Sequence, residues 1–246
     1  MPKRIAIMQP YLFPYPGYFQ LAFNVDEFWL LDTVSFVQSG WMNRNRLRDP
    51  QGRTNSFTLP IAAGPHDAPV TERAYHAKAG RALHKLRRRL EQSYARARLR
   101  DEVLAVIDAV TEEFDRVGGD FTHITAFALS CCFDALRLDT PLKRVSELDL
   151  PAYLTGQERL IAACRRAGAE EYLNMSGGQA LYESTPFAAA GVELLFLEPR
   201  LLAYPQCGPT FIPGLSVLDL IANVAPDERH SFLQAGRVFS AASRPG

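Results

Sequence analysis

The sequence predicts a layered α/β protein built on a mainly parallel sheet, and three observations predict it. Short apolar runs bounded by Pro, Gly or Asn occur at residues 5–8, 171–174 and 191–197, the composition of strands buried on both faces. Helical patterns alternate with these runs, which argues for parallel crossover units and a Rossmann-like sheet. Between them, residues 72–136 show helical periodicity alone and read as a helical insertion or cap. The 246 residues are 47% apolar and 22% charged, so residues 1–246 are read as one domain with 72–136 as its insertion.

The elements follow in order. Residues 5–8 form a strand stopped by Gln9-Pro10, because Pro removes a ladder donor. Residues 10–18 hold three prolines and a glycine and read as a structured loop, with a short helix over 19–24. Residues 27–37, rich in bulky and β-branched side chains, predict a second strand, and 55–61 a third. Leu83, Leu86, Leu90, Tyr94 and Ala97 recur at helical spacing, as do Val103, Ile107, Val110, Phe114 and Val117 before Gly118-Gly119. A third helix covers 124–136, with Cys131 and Cys132 on its apolar side. Residues 142–148 read as a strand. Thr155-Gly-Gln-Glu158 has the form of a capping box and opens a helix closed by Gly168. Residues 171–174 and 191–197 are strands, the latter the last one. Residues 215–223 form a short helix and 240–246 a loose tail.

Charge and cysteine usage narrow the function classes. Lys plus Arg and Asp plus Glu are 27 each, so a globally charged nucleic-acid binder is not indicated. The four cysteines lack zinc-site spacing and suggest no disulfide framework, and no metal or cofactor is expected. The opening apolar run is too short for a signal-peptide core, and no run reaches the roughly 18 residues of a membrane span. The expectation is a cytoplasmic protein.

Two stretches carry the strongest chemical signal. Gln9 stands at the carboxyl end of the first strand, where open α/β sheets bind ligands. The loop behind it is stiffened by prolines and rich in rings, with Tyr11, Tyr15 and Tyr18 as candidate pocket walls. Trp41-Met-Asn43-Arg44-Asn45-Arg46 sets two guanidinium forks and two amides beside an indole, a pattern suited to a carboxylate or phosphate. Asp32 interrupts an apolar run, so it must pair, bind a ligand or mark the strand's end. Residues 78–100 carry nine Lys or Arg against Glu91 alone. That helix reads either as a solvated face or as a docking surface for an anionic carrier, such as an acyl carrier protein, coenzyme A or tRNA. His84 lies on it as a candidate general base. Tyr204 and Gln206 can reach a pocket from a loop, whereas Ser216 and Asp219 are spaced as a helix cap and a first-turn acid.

Through IAIMQPYLFPYPGYFQ, Asp26 and Asp32, WMNRNR, LEQSYARA, KRVSEL, EEYLN and YPQCGPTFIPGLSVLDLIAN, the chain resembles the bacterial WbqC-like protein family over roughly residues 3–225. Members of that family occur beside genes for O-antigen and other surface sugars or specialised metabolites. The resemblance implies a biosynthetic enzyme, an acyl- or aminoacyl-transferase acting on an amino group. Motif matching puts Gln9, Tyr18, Asp32, Asn43, Arg44, Asn45, Tyr204, Gln206, Ser216 and Asp219 among the family positions. The family commonly shows a Lys-His pair preceded by Trp in the basic helix, where this chain has His84-Lys85-Leu86.

The leading expectation is a transferase that moves an acyl or aminoacyl group onto the amine of an amino sugar or specialised metabolite. Asp32 or His84 would take the amine proton. The loop and the Asn-Arg stretch would bind the substrate through Gln9, Tyr11, Tyr15, Tyr18, Trp41, Asn43, Arg44 and Asn45, with Tyr204, Gln206, Ser216 and Asp219 behind them. Two alternatives stand beside it. One is a nucleotidylyltransferase-like enzyme, with Tyr15 and Tyr18 where such loops carry histidines. The other is a non-catalytic protein that binds a carrier protein or shelters a metabolite.

Overall fold

The structure, a computed structural model, describes residues 1–208 and 210–241. Its centre is a six-stranded sheet in the order β5-β2-β1-β6-β7-β8. The strands are β1 (Arg4–Met8), β2 (Glu27–Leu30), β5 (Leu142–Arg144), β6 (Glu171–Met175), β7 (Glu193–Glu198) and β8 (Arg237–Ser240). The first five run parallel, and β8 pairs antiparallel with β7. The predicted layered, mainly parallel α/β architecture is the one observed.

The two-residue period of the strands sorts side chains between two layers. Ile5 and Ile7 of β1, Trp29 of β2, Tyr172 of β6 and Leu194 and Phe196 of β7 face one layer. There they meet α5 (Gly156–Arg166) and α6 (Ser184–Ala189) through Leu160, Cys164 and Phe187. Ala6, Phe28, Leu173, Leu195 and Leu197 face the other layer. That layer holds α1 (Pro16–Phe23), α2 (Ala79–Ser93), α3 (Arg100–Val117), α4 (Phe121–Leu136), α7 (Val217–Asn223) and α8 (Arg229–Gln234). Helices α2 to α4 share one continuous core with α1 and this face of the sheet.

Several local expectations are corrected. The second strand ends at Leu30, not at residue 37. The Asp32 N–H turns back to the Leu30 carbonyl, and the Asp32 carbonyl accepts from Thr71 N–H. A buried carboxylate inside that run ends the ladder. The Asn-Arg stretch is itself a strand, β3 (Arg44–Arg48), paired antiparallel with β4 (Thr54–Thr58) in a separate two-stranded sheet. Its alternation of Arg with Asn45 and Leu47 is a polar version of the strand period. Beyond β5 the chain coils into a single 3-10 turn over Val145–Leu148. Thr155 is the N-cap of α5, but its side chain makes no capping bond. Strand β8 follows the strand expected to be last, so Ser240 belongs to the sheet. Residues 242–246 of the expected tail lie outside the described residues. Among the described residues, no helix is long and apolar enough to cross a membrane.

Candidate functional site

β1 is flanked by β2 and β6, and the chain leaves β1 and β6 toward opposite layers, through α1 and α6. The crevice outside the carboxyl ends of such strands is where open α/β sheets hold ligands. Gln9 to Tyr15 emerges there. Pro16 opens α1 at a position where the missing N–H costs nothing.

The loop is held in an unusual shape. Phe13 takes φ 47°, a left-handed conformation disfavoured for a bulky side chain. Three residues impose it. Asn45 Nδ2 donates to the Phe13 carbonyl at 2.8 Å, Ser216 Oγ donates to the same oxygen at 2.8 Å, and Val217 N–H takes the Pro14 carbonyl at 2.8 Å. Leu12 N–H donates to the Met42 carbonyl, which ties the loop to the segment before β3. Gly17 makes room for this fold of the chain. A Cβ there would lie 2.3 Å from the Tyr15 ring.

The loop and β3 therefore face each other across a cavity of about 300 Å³ walled by Tyr11, Pro14, Tyr15, Trp41, Asn45 and Arg46, with Leu201 and Gly214 closing it. Arg44 and Arg46 both lie over the Trp41 ring, at 5.3 and 5.4 Å from its centre. Such stacking holds guanidinium planes in register while leaving N–H groups free. Arg46 gives one N–H to the Gly214 carbonyl at 3.2 Å, and its Nε has no partner among the described residues. Burial raises the phenol pKa of Tyr11. Burial and the neighbouring Tyr11 push that of Tyr15 up to about 12, so both rings are neutral hydrogen-bonding walls at pH 7. The cavity thus combines aromatic faces, one amide and a cation, a set that suits a small anion with an apolar portion.

The other predicted residues divide into three groups. Gln9 and Tyr18 support the loop: Tyr11 donates to Gln9 Oε1 at 3.2 Å, and the buried Tyr18 hydroxyl donates to the Gln9 carbonyl at 2.9 Å. Asn43 bonds the Leu59 carbonyl and fixes β3 to the chain after β4. Arg44 adds a hydrogen bond to the Ser39 carbonyl.

The second group is a buried polar assembly. Asp219, fully enclosed, accepts from Tyr94 at 2.7 Å and from Tyr204 and Gln206 at 2.8 Å each. Desolvation raises its carboxyl pKa against the pull of these donors and of Arg48. Arg48 is also buried and reaches Gln206 Oε1 at 3.0 Å and the Thr210 carbonyl at 2.7 Å. Its Nε and Nη2 are unpartnered among the described residues. Arg48 and Tyr94 are members that the sequence reading missed. Reading Arg44, Arg46 and Arg48 as alternate residues of one strand would have placed all three guanidinium groups on one face.

The third group lies apart from the cavity lining. Asp32 is fully buried with both oxygens occupied by Ser146, its N–H at 3.0 Å and its hydroxyl at 2.6 Å. His84 projects from the exposed side of α2. Of the basic residues there, Arg87 pairs with Asp108 and Glu91, Arg100 pairs with Glu91, and Arg89 bonds the Ser56 and Asn55 carbonyls.

Taken together, this is a layered α/β protein with a cavity outside the carboxyl edge of its parallel strands. The chain belongs to the WbqC-like protein family, whose sequence pattern matches residues 9–231. It is also similar to the uncharacterised protein Rv1507c of Mycobacterium tuberculosis, at 26% identity over 92% of this chain and 96% of that one. No solved structure matches it.

Proposed function

We propose that the protein is a small-molecule biosynthetic transferase that moves an acyl or aminoacyl group onto the amine of an anionic metabolite held in the aromatic cavity. The observation that supports this reading is the shared wall of the cavity. Two stretches distant in the chain converge on one space, and the strained Phe13 backbone is pinned to hold them there. Arg46 holds the acceptor's carboxylate or phosphate, and Tyr11, Tyr15 and Trp41 enclose its ring or chain.

The chemistry asked of the protein is positioning. The free amine attacks the carbonyl carbon of an activated acyl group. The C–N bond forms, the bond to the carrier's sulfur or oxygen breaks, and the amine proton leaves with the carrier or to water. No protein thiol is poised to intervene, since burial raises the pKa of Cys207, pushes Cys131 up to about 11 and pushes Cys164 up to about 12. Asp32 is engaged by Ser146, so it serves to fix the strand end. We place the activity in the bacterial cytoplasm, in the assembly of surface sugars or specialised metabolites, with an anionic acyl carrier as partner of α2. Tyr15 and Tyr18 remain neutral at pH 7, so the nucleotidylyltransferase reading gains nothing from them.

The test is a thermal-shift screen of anionic amino metabolites, followed by N-acylation assays on those that bind. Ligands that raise Tm should lose that effect in Arg46→Ala and Trp41→Ala, and product should fall with it. Binding and turnover indifferent to both substitutions would remove the cavity from the reaction. Binding without turnover, with any acyl donor, would favour the non-catalytic sheltering role.

A further inference from the structure

A second concavity, larger than the cavity and absorbed by none of the chemistry above, lies where α2 ends. It encloses about 1100 Å³ between the turn after α2, residues 203–208 and the chain from Asn223 into α8. Its polar lining includes Gln92, Arg96, Arg98, Gln206, Asn223 and Ser231. Arg96 and Arg98 are exposed, and neither has an ion pair or hydrogen bond among the described residues. Among the described residues Glu228 is the one carboxylate in the lining, and it accepts from Ala225 N–H. Two unspent guanidinium groups one residue apart, with amides and a hydroxyl nearby, make a site for a multiply charged anion such as a diphosphate.

The outward side of α2 leads into this groove. The side chains of Lys78, Arg81, Lys85 and Arg88 are exposed and lack partners among the described residues, and their spacing of three, four and three puts them on one helical face. Gln92, one turn further on, already lines the groove. A cationic track of this kind draws an anion along the surface toward the site.

The groove also abuts the acceptor cavity. A gap of about 10 Å³ between them is walled by Leu201 and Gly214, which belong to the cavity, and by Tyr204 and Phe232, which belong to the groove. It is mostly apolar and too small to hold a bound molecule, so it is no third site, and the two concavities are neighbours across a thin wall.

We propose that the groove is the donor site and takes a phosphate-bearing acyl thioester. The diphosphate sits on Arg96 and Arg98, and the acyl arm points toward the wall of Tyr204 and Phe232 that the groove shares with the gap. The role of donor rests on the transferase reading, whereas diphosphate binding in the groove stands by itself. In the transfer, the acceptor nitrogen bonds the thioester carbon as the C–S bond breaks, and the thiol departs with the amine proton.

The probes are adenosine 5′-diphosphate and coenzyme A, titrated calorimetrically into the full chain. Both should bind saturably, and affinity should fall with added salt. Arg96→Ala/Arg98→Ala should weaken binding by about tenfold or more without lowering Tm, because neither side chain has a partner to lose. Arg46→Ala should leave it unchanged. Bound probe should also slow alkylation of Cys207, which lines the groove, relative to Cys131 on α4. Three results overturn the proposal: no saturable binding of either probe up to millimolar concentration, binding indifferent to the double substitution, or binding abolished instead by Arg81→Glu/Lys85→Glu/Arg88→Glu while Arg96→Ala/Arg98→Ala retains it. If both probes bind as described and no acceptor binds the cavity, the groove stands and the transferase reading fails.

Discussion

The Phe13 carbonyl offers a sharp test of how the cleft is built, because two side chains from different elements satisfy one buried oxygen. Asn45 on β3 and Ser216 at the start of α7 each donate to it at 2.8 Å. Phe13 and Ser216 are fully enclosed, and Asn45 is 4% exposed. Asn45→Ala removes the donor from Nδ2 and also the acceptor that takes Arg46 N–H, a loss of about 1–3 kcal/mol. Ser216→Ala removes one donor and a long capping bond to Leu218 N–H, about 1–2 kcal/mol. In either single variant the other donor still serves the oxygen. In the double variant a buried carbonyl in a left-handed backbone is orphaned. The double loss should therefore exceed the sum of the singles by about 1–3 kcal/mol. Urea unfolding of the four proteins measures this, with equal slopes confirming that each unfolds alike. Each kcal/mol should lower Tm by about 2–4 °C in a chain of this size. A coupling within about 0.5 kcal/mol of zero would show that the two donors do not share one load and would refute the argument.

Gly17→Ala places a methyl 2.3 Å from the Tyr15 ring, so the ring must swing away. The expected cost is about 1–3 kcal/mol in thermal unfolding together with loss of ligand binding in the cavity, and unchanged stability would contradict the contact. The Glu27 carboxyl is raised by burial but brought below its ordinary 4.5 by Lys143 at 2.6 Å and Lys3 at 3.0 Å. Because its folded pKa is depressed, its contribution is present above that ordinary value and lost as pH falls through the folded one. Glu27→Gln should therefore flatten the acid limb of urea midpoints measured down to about pH 3, and a limb of identical steepness would count against this pairing. With Cys132 and Cys164 buried and their thiols pushed up, Ellman's reagent should not label them in the native protein and should label them at once in urea.

What the sequence disclosed and what it hid have the same physical origin. Strands buried on both faces announce themselves as unbroken apolar runs, and the helices from Leu83 to Leu136 show their buried stripe directly. β3 and β8 escaped because neither is such a run. β3 puts arginines on one face, where they meet Trp41, Gln206, Thr210 and Gly214, and β8 is an edge strand of partly buried residues. The cavity was legible in outline: the proline-rich loop and the Asn-Arg stretch do face each other. The division of labour within it was not. Tyr18, Ser216 and Asn43 carry the polar groups expected of ligand contacts, yet they spend them on the Gln9, Phe13 and Leu59 carbonyls. Tyr94 reads as one more apolar tooth of its helix, and only the fold brings its hydroxyl to Asp219. Long-range polar pairing leaves no period in a sequence.

The sheet's two central strands, β1 and β6, are far apart in the sequence. Arg4 on β1 finds Glu171 on β6 at a separation of 167 positions in the sequence. At ribosomal speeds of about 5–20 residues per second, β1 waits roughly 10–30 s for that neighbour. Through that interval β1 and β2 present an unzipped apolar margin, open to a wrong strand from another nascent copy. Slow synthesis or high expression should thus favour inclusion bodies, and a chaperone that shields the first hundred residues should raise the soluble yield more than any surface redesign of the finished protein.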